Sequence, residues 1–210
     1  MISFKEKINM SLIKNNIKIE KNPFDLLEKW YKKAKKNEIS NPNAMALSTV
    51  GPFNKPRTRM VLMKEIKENG IIFYTNSNSR KGNHINDNKN VSINFYWKSI
   101  DRQVLISGKI KKISSQESDK YFLTRNRKSQ IGAWASKQSQ KLKSKSNLKT
   151  KFDEIDKKYK GKEIPRPKHW NGYCVYPDSF EFWLQGEGRL HDRVEYKIKS
   201  GQWTTKLLYP

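Results

Sequence analysis

Hydrophobic residues recur with two different periods along the chain. From Pro23 to about Asn37 they are spaced by three and four, which is typical of an amphipathic helix. The apolar stripe of this predicted helix consists of Leu26, Leu27, Trp30, Tyr31 and Ala34. Pro23 suits its first turn, where a backbone N–H would have no helical partner. Residues 1–22 show no firm period and are predicted to form an arm.

Beyond residue 43 the period falls to two, and short strands follow one another closely. The predicted strands are 44–50, 57–64, 70–75, 90–97, 102–113, 172–177, 179–185, 191–198 and 203–208. A loop with Gly and Pro at 51–56 and a short helix at 79–87 separate some of them. Such spacing favours an antiparallel barrel or sandwich over a doubly wound parallel sheet. We therefore predict one mainly β domain with peripheral helices over residues 23–210.

Two further helices are predicted in the middle of the chain. Ser114 and Glu117 form a capping-box pattern ahead of a helix that carries Tyr121, Phe122 and Arg125. A second helix is predicted over 148–159. The lysine-rich stretch 137–151 is interpreted as a solvated loop and helix face, with a nucleic-acid arm as the alternative.

The charge is strongly positive, because 44 Lys and Arg face 20 Asp and Glu, for a net charge of +24. Such a charge attracts polyanions, so a basic nucleic-acid-binding protein is one hypothesis. Lysines are spread along the whole chain among many Asn and Ile. Nucleotide bias produces the same pattern when solvent-facing positions drift towards Lys and Asn without a selected partner, and we favour this interpretation. Six Trp, nine Tyr and nine Phe argue against disorder.

Cysteine and histidine are too few to build a disulfide framework or a zinc finger. Cys174 is the single cysteine, and there are three histidines. The sequence also has no apolar run long enough for a membrane span and no signal-peptide pattern at its start. We expect a soluble cytoplasmic protein without a metal site.

Phosphate-binding residues are predicted in two places. Tyr121, Arg125 and Ser129 are spaced i, i+4, i+8, which on one helix would align three donors for a phosphate. Arg59 and Lys64 have opposite parity on an ideal strand, so one ligand could meet both only through a bulge, a strand end or a second chain. Arg80 and Lys81 add cations at a helix start, where free N–H groups favour anions.

A third candidate is the segment from Gly186 to Arg193. In strand geometry Arg189, His191 and Arg193 would share one face. Two arginines beside a histidine are electrostatically unfavourable unless an anion or an electron-rich ring occupies that face. The other two histidines, His84 and His169, are interpreted as structural. Because no nucleophile motif, metal cluster or dinucleotide glycine pattern is present, a bound cofactor is expected to supply the chemistry.

The segments 125–139, Phe180–Trp183 and Arg189–Arg193 closely resemble the pyridoxamine 5'-phosphate oxidase family, and the resemblance extends from about Pro23 to Pro210. It implies a split β-barrel that works as a homodimer with FMN at the subunit interface. It also implies oxidation of pyridoxamine 5'-phosphate or pyridoxine 5'-phosphate to pyridoxal 5'-phosphate, with O2 as acceptor and H2O2 as product, and ammonia from the amine. The alternative is a split-barrel flavoprotein with another substrate.

The resemblance also implies roles for individual residues. Those expected to bind FMN are Arg59, Met60, Val61, Leu62, Met63, Lys64, Tyr74, Thr75, Arg80, Lys81, Gln103, Gln138, Ser139, Trp183 and Arg193. Those expected to bind the substrate are Lys64, Tyr121, Arg125, Ser129, Arg189, Leu190 and His191. Arg189 and His191 are the expected catalytic residues, lying against the pyridine ring.

The chain departs from the family pattern in three places. Asn126 stands where the family commonly has proline, and the ending 207–210 lacks the usual arginine. The arm lacks an arginine-rich segment that can fold over the substrate in relatives, and Lys14 and Lys18 are weak substitutes.

Overall fold

The computed structural model describes residues 15–210. The helices are α1 (Pro23–Asn37), α2 (Arg80–Asp87), α3 (Ser115–Leu123), α4 (Arg127–Ala135) and α5 (Lys145–Lys158). The strands are β1 (Ala44–Val50), β2 (Pro56–Lys67), β3 (Gly70–Asn76), β4 (Asn90–Trp97), β5 (Arg102–Lys112), β6 (Trp170–Leu184), β7 (Asp192–Lys199) and β8 (Gln202–Leu207). Single 3-10 turns occur at Pro52–Asn54, Lys98–Ile100 and Glu187–Arg189.

The strands form one antiparallel sheet that closes on itself. Their order is β3-β2-β1-β4-β5-β6-β7-β8, and an additional pairing of β3 with β6 closes the first six into a barrel. Strands β7 and β8 extend the sheet beyond the closure. The predicted mainly β architecture with peripheral helices is confirmed, and so is its barrel form.

Strand β6 corrects one prediction. We predicted two strands, at 172–177 and 179–185, but the structure has one strand of 15 residues. Its pairing with β5 shifts between Ser107 and Gly108, opposite Pro177 and Ser179, so Asp178 is an extra residue in the ladder. The bulge bends β6 without ending it, and this lets one strand pair with β3 through its first half and with β7 through its second.

Helix α1 covers the barrel core, as its apolar stripe predicts. Asn22 caps the helix, because its side chain accepts a hydrogen bond from the Phe24 N–H. Phe24 packs edge-on against Phe180 with ring centroids 5.1 Å apart, and Trp30 packs against Phe182 in the same way at 5.2 Å. The buried rings of β4, β6 and β7 and the buried aliphatic side chains of β5 continue this core.

Helices α3, α4 and α5 surround a second, smaller apolar cluster. Its buried residues are Phe122, Ile131, Ile164 and Trp170. The capping box predicted from Ser114 and Glu117 is present in full at the start of α3. Helix α4 was not predicted as a separate helix, since its mixed polar and apolar residues show no clear helical period of their own. The stretch 137–151 is exposed throughout, as an exposed loop and the start of α5.

The residues before α1 pack on strand β7. Ile17 is buried in the main core, and the Tyr196 hydroxyl bonds both the N–H and the carbonyl of Glu20 at 3.1 Å. Asn16 donates from its backbone and its side chain to one carboxylate oxygen of Asp192. Residues 1–14, including Lys14, lie outside the described part, and the boundary at residue 22 stays a prediction. Within residues 15–210, every helix is too short or too polar to cross a membrane.

Candidate functional site

A large cavity lies where β2, β3, α2 and the α3–α4 corner meet. Its volume is about 940 Å³. Six basic side chains line it, and we call this group the cation pocket: Arg57, Arg59, Lys64, Arg80, Lys81 and Arg125. Within the described chain, no Asp or Glu contributes to the lining. The cavity is therefore a region of concentrated, uncompensated positive charge, which fits anionic ligands.

Lys81 lies in the first turn of α2 and is buried. Its Nζ donates to Thr75 Oγ1 at 3.1 Å, to Ser79 Oγ at 3.2 Å and to Gln138 Oε1 at 3.0 Å. All three acceptors are neutral, so they hold the amine in place without cancelling its charge. Burial and, to a smaller extent, the charge of Arg59 lower the pKa of Lys81 to about 8.

The start of α2 is fixed by Ser79 and Gly82. The Ser79 side chain caps the helix by accepting from the Gly82 N–H. A Cβ at Gly82 would collide with the backbone of Ser77, so only glycine allows the helix to start this close to β3. The Arg80 side chain is exposed at the cavity rim.

Arg59 is oriented by neutral groups of β1. Its Nη1 donates to Thr49 Oγ1 at 2.7 Å and to the Leu47 carbonyl at 3.0 Å. Thr49 is fully buried and also bonds His84 Nδ1 at 3.1 Å. His84 is thus a support for Arg59 rather than a ligand contact, consistent with its interpretation as structural. Burial is the main cause of the lowered pKa of Arg59, with Arg57 and Arg80 adding to it.

A bulge explains how Arg59 and Lys64 face one cavity. The pairing of β2 with β3 shifts between Met63 and Glu65, so Lys64 is an extra residue in the strand. The bulge was one of three solutions that parity left open, and it turns Lys64 towards the cavity. Met63 does not line the cavity, because its side chain is buried in the barrel core.

The helical stripe predicted for Tyr121, Arg125 and Ser129 is wrong, although all three residues line the cavity. Helix α3 ends at Leu123, and Asn126 caps a new helix by accepting from the Ser129 N–H at 2.8 Å. A short polar side chain at this position competes with helix continuation and starts α4 in a new direction. The three residues meet around a corner between two helices.

Arg125 is held by aromatic rings. Its guanidinium carbon lies 4.6 Å from the Trp170 ring centroid and 5.5 Å from that of Phe122. Trp170 stacks in turn on Tyr74 at 5.0 Å, and Tyr74 stacks on Tyr121 at 4.1 Å. Burial raises the pKa of Tyr74 to about 12. Trp170 was not predicted as a site residue, because a single aromatic residue at the start of a strand has no distinctive sequence pattern.

Four predicted residues form a separate group on or next to strands β5, β6 and β7, on the outside of the barrel. We call this group the outer cluster: Gln103, Trp183, His191 and Arg193. Gln103 pairs with Trp183 across β5 and β6, and Trp183 with Arg193 across β6 and β7. Their sequence neighbours Val104, Phe182 and Val194 are buried in the core, so these three side chains point out of the barrel. Arg193 is paired with Glu181 at 2.8 Å and donates to the Tyr209 carbonyl.

The prediction that Arg189, His191 and Arg193 share a strand face is wrong. Residues Glu187–Arg189 form a 3-10 turn, Arg189 has a φ of 65°, and β7 begins only at Asp192. Arg189 and Leu190 are exposed. The turn brings the His191 ring to 4.6 Å from that of Trp183, and its Nδ1 accepts from the Gly186 N–H at 3.2 Å. A Cβ at Gly186 would strike the Leu190 carbonyl.

The predicted site residues thus fall into two groups within one chain. The cavity is lined by Arg59, Met60, Val61, Leu62, Lys64, Tyr74, Thr75, Arg80, Lys81, Tyr121, Arg125, Ser129, Gln138 and Ser139. Gln103, Trp183, Arg189, Leu190, His191 and Arg193 are not among its lining residues.

Two family models match the sequence. Residues 31–159 match the model described as pyridoxamine 5'-phosphate oxidase. Residues 170–210 match the pyridoxine 5'-phosphate oxidase C-terminal dimerisation region. The chain belongs to the pyridoxamine 5'-phosphate oxidase family. The resemblance drawn from the motifs is confirmed, and the dimerisation region of this family contains β6, β7 and most of the outer cluster.

Relatives in this family are similar over almost their whole length. The pyridoxine/pyridoxamine 5'-phosphate oxidase of Pelagibacter ubique is 46% identical over 190 residues, covering 90% of this chain and 91% of that protein. The corresponding oxidase of Nostoc punctiforme is 42% identical over 197 residues, covering 93% and 92%. Family membership therefore extends across both the cavity and the outer cluster.

Solved structures of the family share the fold. PhzG from Burkholderia lata, in complex with tetrahydrophenazine-1-carboxylic acid, has a TM-score of 0.87 at 30% identity, covering 91% of this chain and 94% of that one. A pyridoxamine 5'-phosphate oxidase-related, FMN binding protein from Nostoc punctiforme has a TM-score of 0.73 at 16% identity, covering 91% and 100%. The split-barrel fold predicted by the resemblance is confirmed.

Proposed function

We propose that the protein oxidises pyridoxamine 5'-phosphate and pyridoxine 5'-phosphate to pyridoxal 5'-phosphate, using FMN as bound cofactor and O2 as electron acceptor. The alcohol and O2 give the aldehyde and H2O2. The amine consumes one water in addition and releases ammonia. The observation that carries this proposal is the cation pocket, where the described residues place six basic side chains and no acidic one in the lining.

The donors in the cavity fit two phosphate groups. Arg59, Arg80 and Lys81 lie together at the β2–α2 end, where the free N–H groups of the helix start add to the attraction for an anion. Arg125 stands at the α3–α4 corner with a buried Nη1 for which residues 15–210 provide no hydrogen-bond partner. FMN carries one phosphate and the substrate another. A cavity of about 940 Å³ is large enough for a ligand of this class.

The first group of donors would hold FMN. Arg59, Arg80 and Lys81 would bind its phosphate, and Thr75, Gln138 and Ser139 would add neutral hydrogen-bonding groups from the same wall. The exposed edge of β2 from Met60 to Leu62 would lie along the flavin ring. When bound, FMN supplies the two-electron acceptor that the side chains of this protein lack.

The second group would hold the substrate phosphate. Arg125 supplies the charged donors, Tyr121 and Ser129 supply hydroxyls, and Lys64 approaches from the bulge of β2. A phosphate held at this fixed corner sets the position of the attached pyridine ring. Fixing the donor carbon in this way accounts for a large part of the rate, because the reacting atoms no longer have to find one another by diffusion.

A second copy of the chain would supply Arg189, Leu190 and His191, together with Gln103, Trp183 and Arg193. In support, the outer cluster points away from the barrel core, and residues 170–210 match a dimerisation region. A neutral His191 that accepts from Gly186 at Nδ1 carries its proton on Nε2. That N–H is then the group with which His191 could donate to the substrate, while Arg189 contributes positive charge.

A spectral titration tests the proposal. The purified protein is expected to show flavin absorbance, and anaerobic pyridoxamine 5'-phosphate is expected to bleach it, with recovery and H2O2 formation on admission of air. A flavin band that remains oxidised would reject this substrate and favour a split-barrel flavoprotein with another one. Failure to bind added FMN would refute the assignment as a flavoprotein. It would favour a basic nucleic-acid-binding protein, for which salt-dependent binding of DNA or RNA is the test.

A further inference from the structure

Trp170 is the aromatic residue over which the guanidinium of Arg125 lies in the cavity. It begins β6, is only 7% exposed, and belongs both to the cavity wall and to the smaller apolar cluster. Its ring plane lies within 8° of that of Tyr74 and within 1° of that of Tyr121. The Arg125 guanidinium sits over the Trp170 ring, so the stack ends in a cation.

Arg125 is anchored differently from Arg127 and Arg193, whereas Arg102 likewise lies over an indole ring, that of Trp30, with a buried nitrogen that has no partner in residues 15–210. Arg127 is bound to the Asp156 carboxylate and to the carbonyls of Tyr159 and Lys162. Arg193 is bound to Glu181. For Arg125, residues 15–210 provide no ion pair, and its buried Nη1 has no hydrogen-bond partner. Burial lowers the pKa of Arg125, with the Tyr121 hydroxyl acting in the opposite direction.

Aromatic anchoring has a chemical consequence for ligand binding. A carboxylate that held Arg125 would occupy its N–H groups and compete with an incoming phosphate. The face of an indole attracts the guanidinium through its π electrons and leaves the N–H edge free. Trp170 therefore restrains Arg125 at little cost to its capacity to bind an anion.

The backbone of Trp170 is itself fixed. Its N–H donates to the Pro167 carbonyl at 2.8 Å, and its carbonyl accepts from Arg166 Nη1 at 2.7 Å. Arg166 is in turn paired with Asp119 of helix α3 at 2.6 Å. The same helix carries Tyr121, so Arg166 ties helix α3 to the start of β6 beside the ring stack.

We propose that Trp170 is a positioning residue for phosphate recognition: its indole face presents the Arg125 guanidinium to the phosphate of the substrate. This inference rests on the proposed function, since it concerns the phosphate end of the same substrate. In this role Trp170 acts through Arg125 at the phosphate end and not at the reacting carbon, so its loss should weaken phosphate binding and leave the chemical step largely intact.

The test compares Trp170→Leu, which keeps apolar volume without a π face, with Trp170→Phe, which keeps a smaller π face. Binding of pyridoxal 5'-phosphate and of phosphate-free pyridoxal to the FMN-loaded proteins is measured by calorimetry, together with kcat and KM. We expect Trp170→Leu to weaken pyridoxal 5'-phosphate binding about tenfold and Trp170→Phe about threefold. Pyridoxal binding and kcat should change less than about twofold.

Four outcomes would contradict the inference. Unchanged phosphate-ester binding in Trp170→Leu, or equal losses for both ligands, would show that Trp170 merely fills space. A Trp170→Phe variant as weak as Trp170→Leu would remove the role of the π face. If Trp170→Leu fails to fold, Trp170→Phe alone decides, since an unchanged affinity for the phosphate ester would overturn the proposal. A wild-type protein that does not distinguish the two ligands would refute the proposed function itself.

Discussion

Half-buried arginine side chains occur in both the cation pocket and the outer cluster, but their charges are balanced differently. In the cation pocket, Arg59, Lys81 and Arg125 rest on hydroxyls, amides, carbonyls and rings. In the outer cluster, Arg193 rests on the carboxylate of Glu181. The first region retains positive charge for a ligand, whereas the second is electrostatically complete within one chain. The cation pocket is therefore suited to bind anions, and the outer cluster is suited to pack against another protein surface.

The largest expected effect comes from removing Arg125, the arginine that lies over Trp170 in the cation pocket. Arg125→Ala should raise the KM for pyridoxamine 5'-phosphate about a hundredfold, because charge-assisted hydrogen bonds to the phosphate are lost. Steady-state kinetics on the FMN-loaded enzyme measures this. Arg127→Ala is the matched control, since Arg127 is two residues away but bound to Asp156 and backbone carbonyls. Equal effects of the two variants would contradict a special role for the cavity.

Mixing two variants that are both impaired at a substrate concentration below the wild-type KM tests whether the two regions act in different chains. Arg125→Ala and Arg189→Ala homodimers, exchanged by mild denaturation and refolding, should recover about a quarter of wild-type activity, since half of the random dimers have one intact site of two. If both residues acted within one chain, every site would carry a defect. Activity no higher than that of the unmixed variants would therefore refute the shared site.

The pH dependence of FMN binding probes the charge retained by Lys81. The pKa of Lys81 is lowered to about 8 by burial, and a bound phosphate would raise it by favouring the ammonium form. Affinity should therefore be full below pH 8 and fall by up to about tenfold per pH unit above it, because binding must then take up a proton. Flavin fluorescence quenching between pH 7 and 9.5 measures the affinity. Lys81→Gln should bind more weakly with a flat profile over this range, whereas a flat wild-type profile would refute the assignment.

The smallest effect concerns the corner that places Arg125 and Ser129. Asn126→Ala removes the cap of α4 and should cost about 1 kcal/mol of unfolding free energy. In a protein of this size that lowers the melting temperature by about 2–4 °C in thermal unfolding. Asn126→Ser keeps a capping oxygen and should stay close to wild type. If both variants melt at the wild-type temperature, the cap does not stabilise the corner.

Periodicity predicted the elements whose burial is regular. The bounds of α1, β1 and β4 agree with the structure because each buries one constant face. It failed where a single residue redirects the backbone. Asn126 starts a new helix, Arg189 adopts a positive φ, and Asp178 bends a strand without ending it.

Site residues were predictable when a charged motif marked them. The basic residues of β2 and α2 belong to this class, and the motif resemblance pointed to Gln138 and Ser139. The division of the site residues between the cation pocket and the outer cluster was not predictable. It depends on whether each strand residue points into or out of the barrel, and on the turn before β7. Trp170 was not predictable either, because its importance comes from a contact with Arg125, 45 positions away in the chain.

The stack of Tyr74, Tyr121 and Trp170 also has an optical consequence. Neighbouring rings in this stack are separated by 4.1 and 5.0 Å, and their planes are within 9° of parallel. Chromophores this close share their excited states, so their ultraviolet transitions couple and acquire circular dichroism of their own. The near-ultraviolet spectrum thus contains a label-free signal from one wall of the cavity.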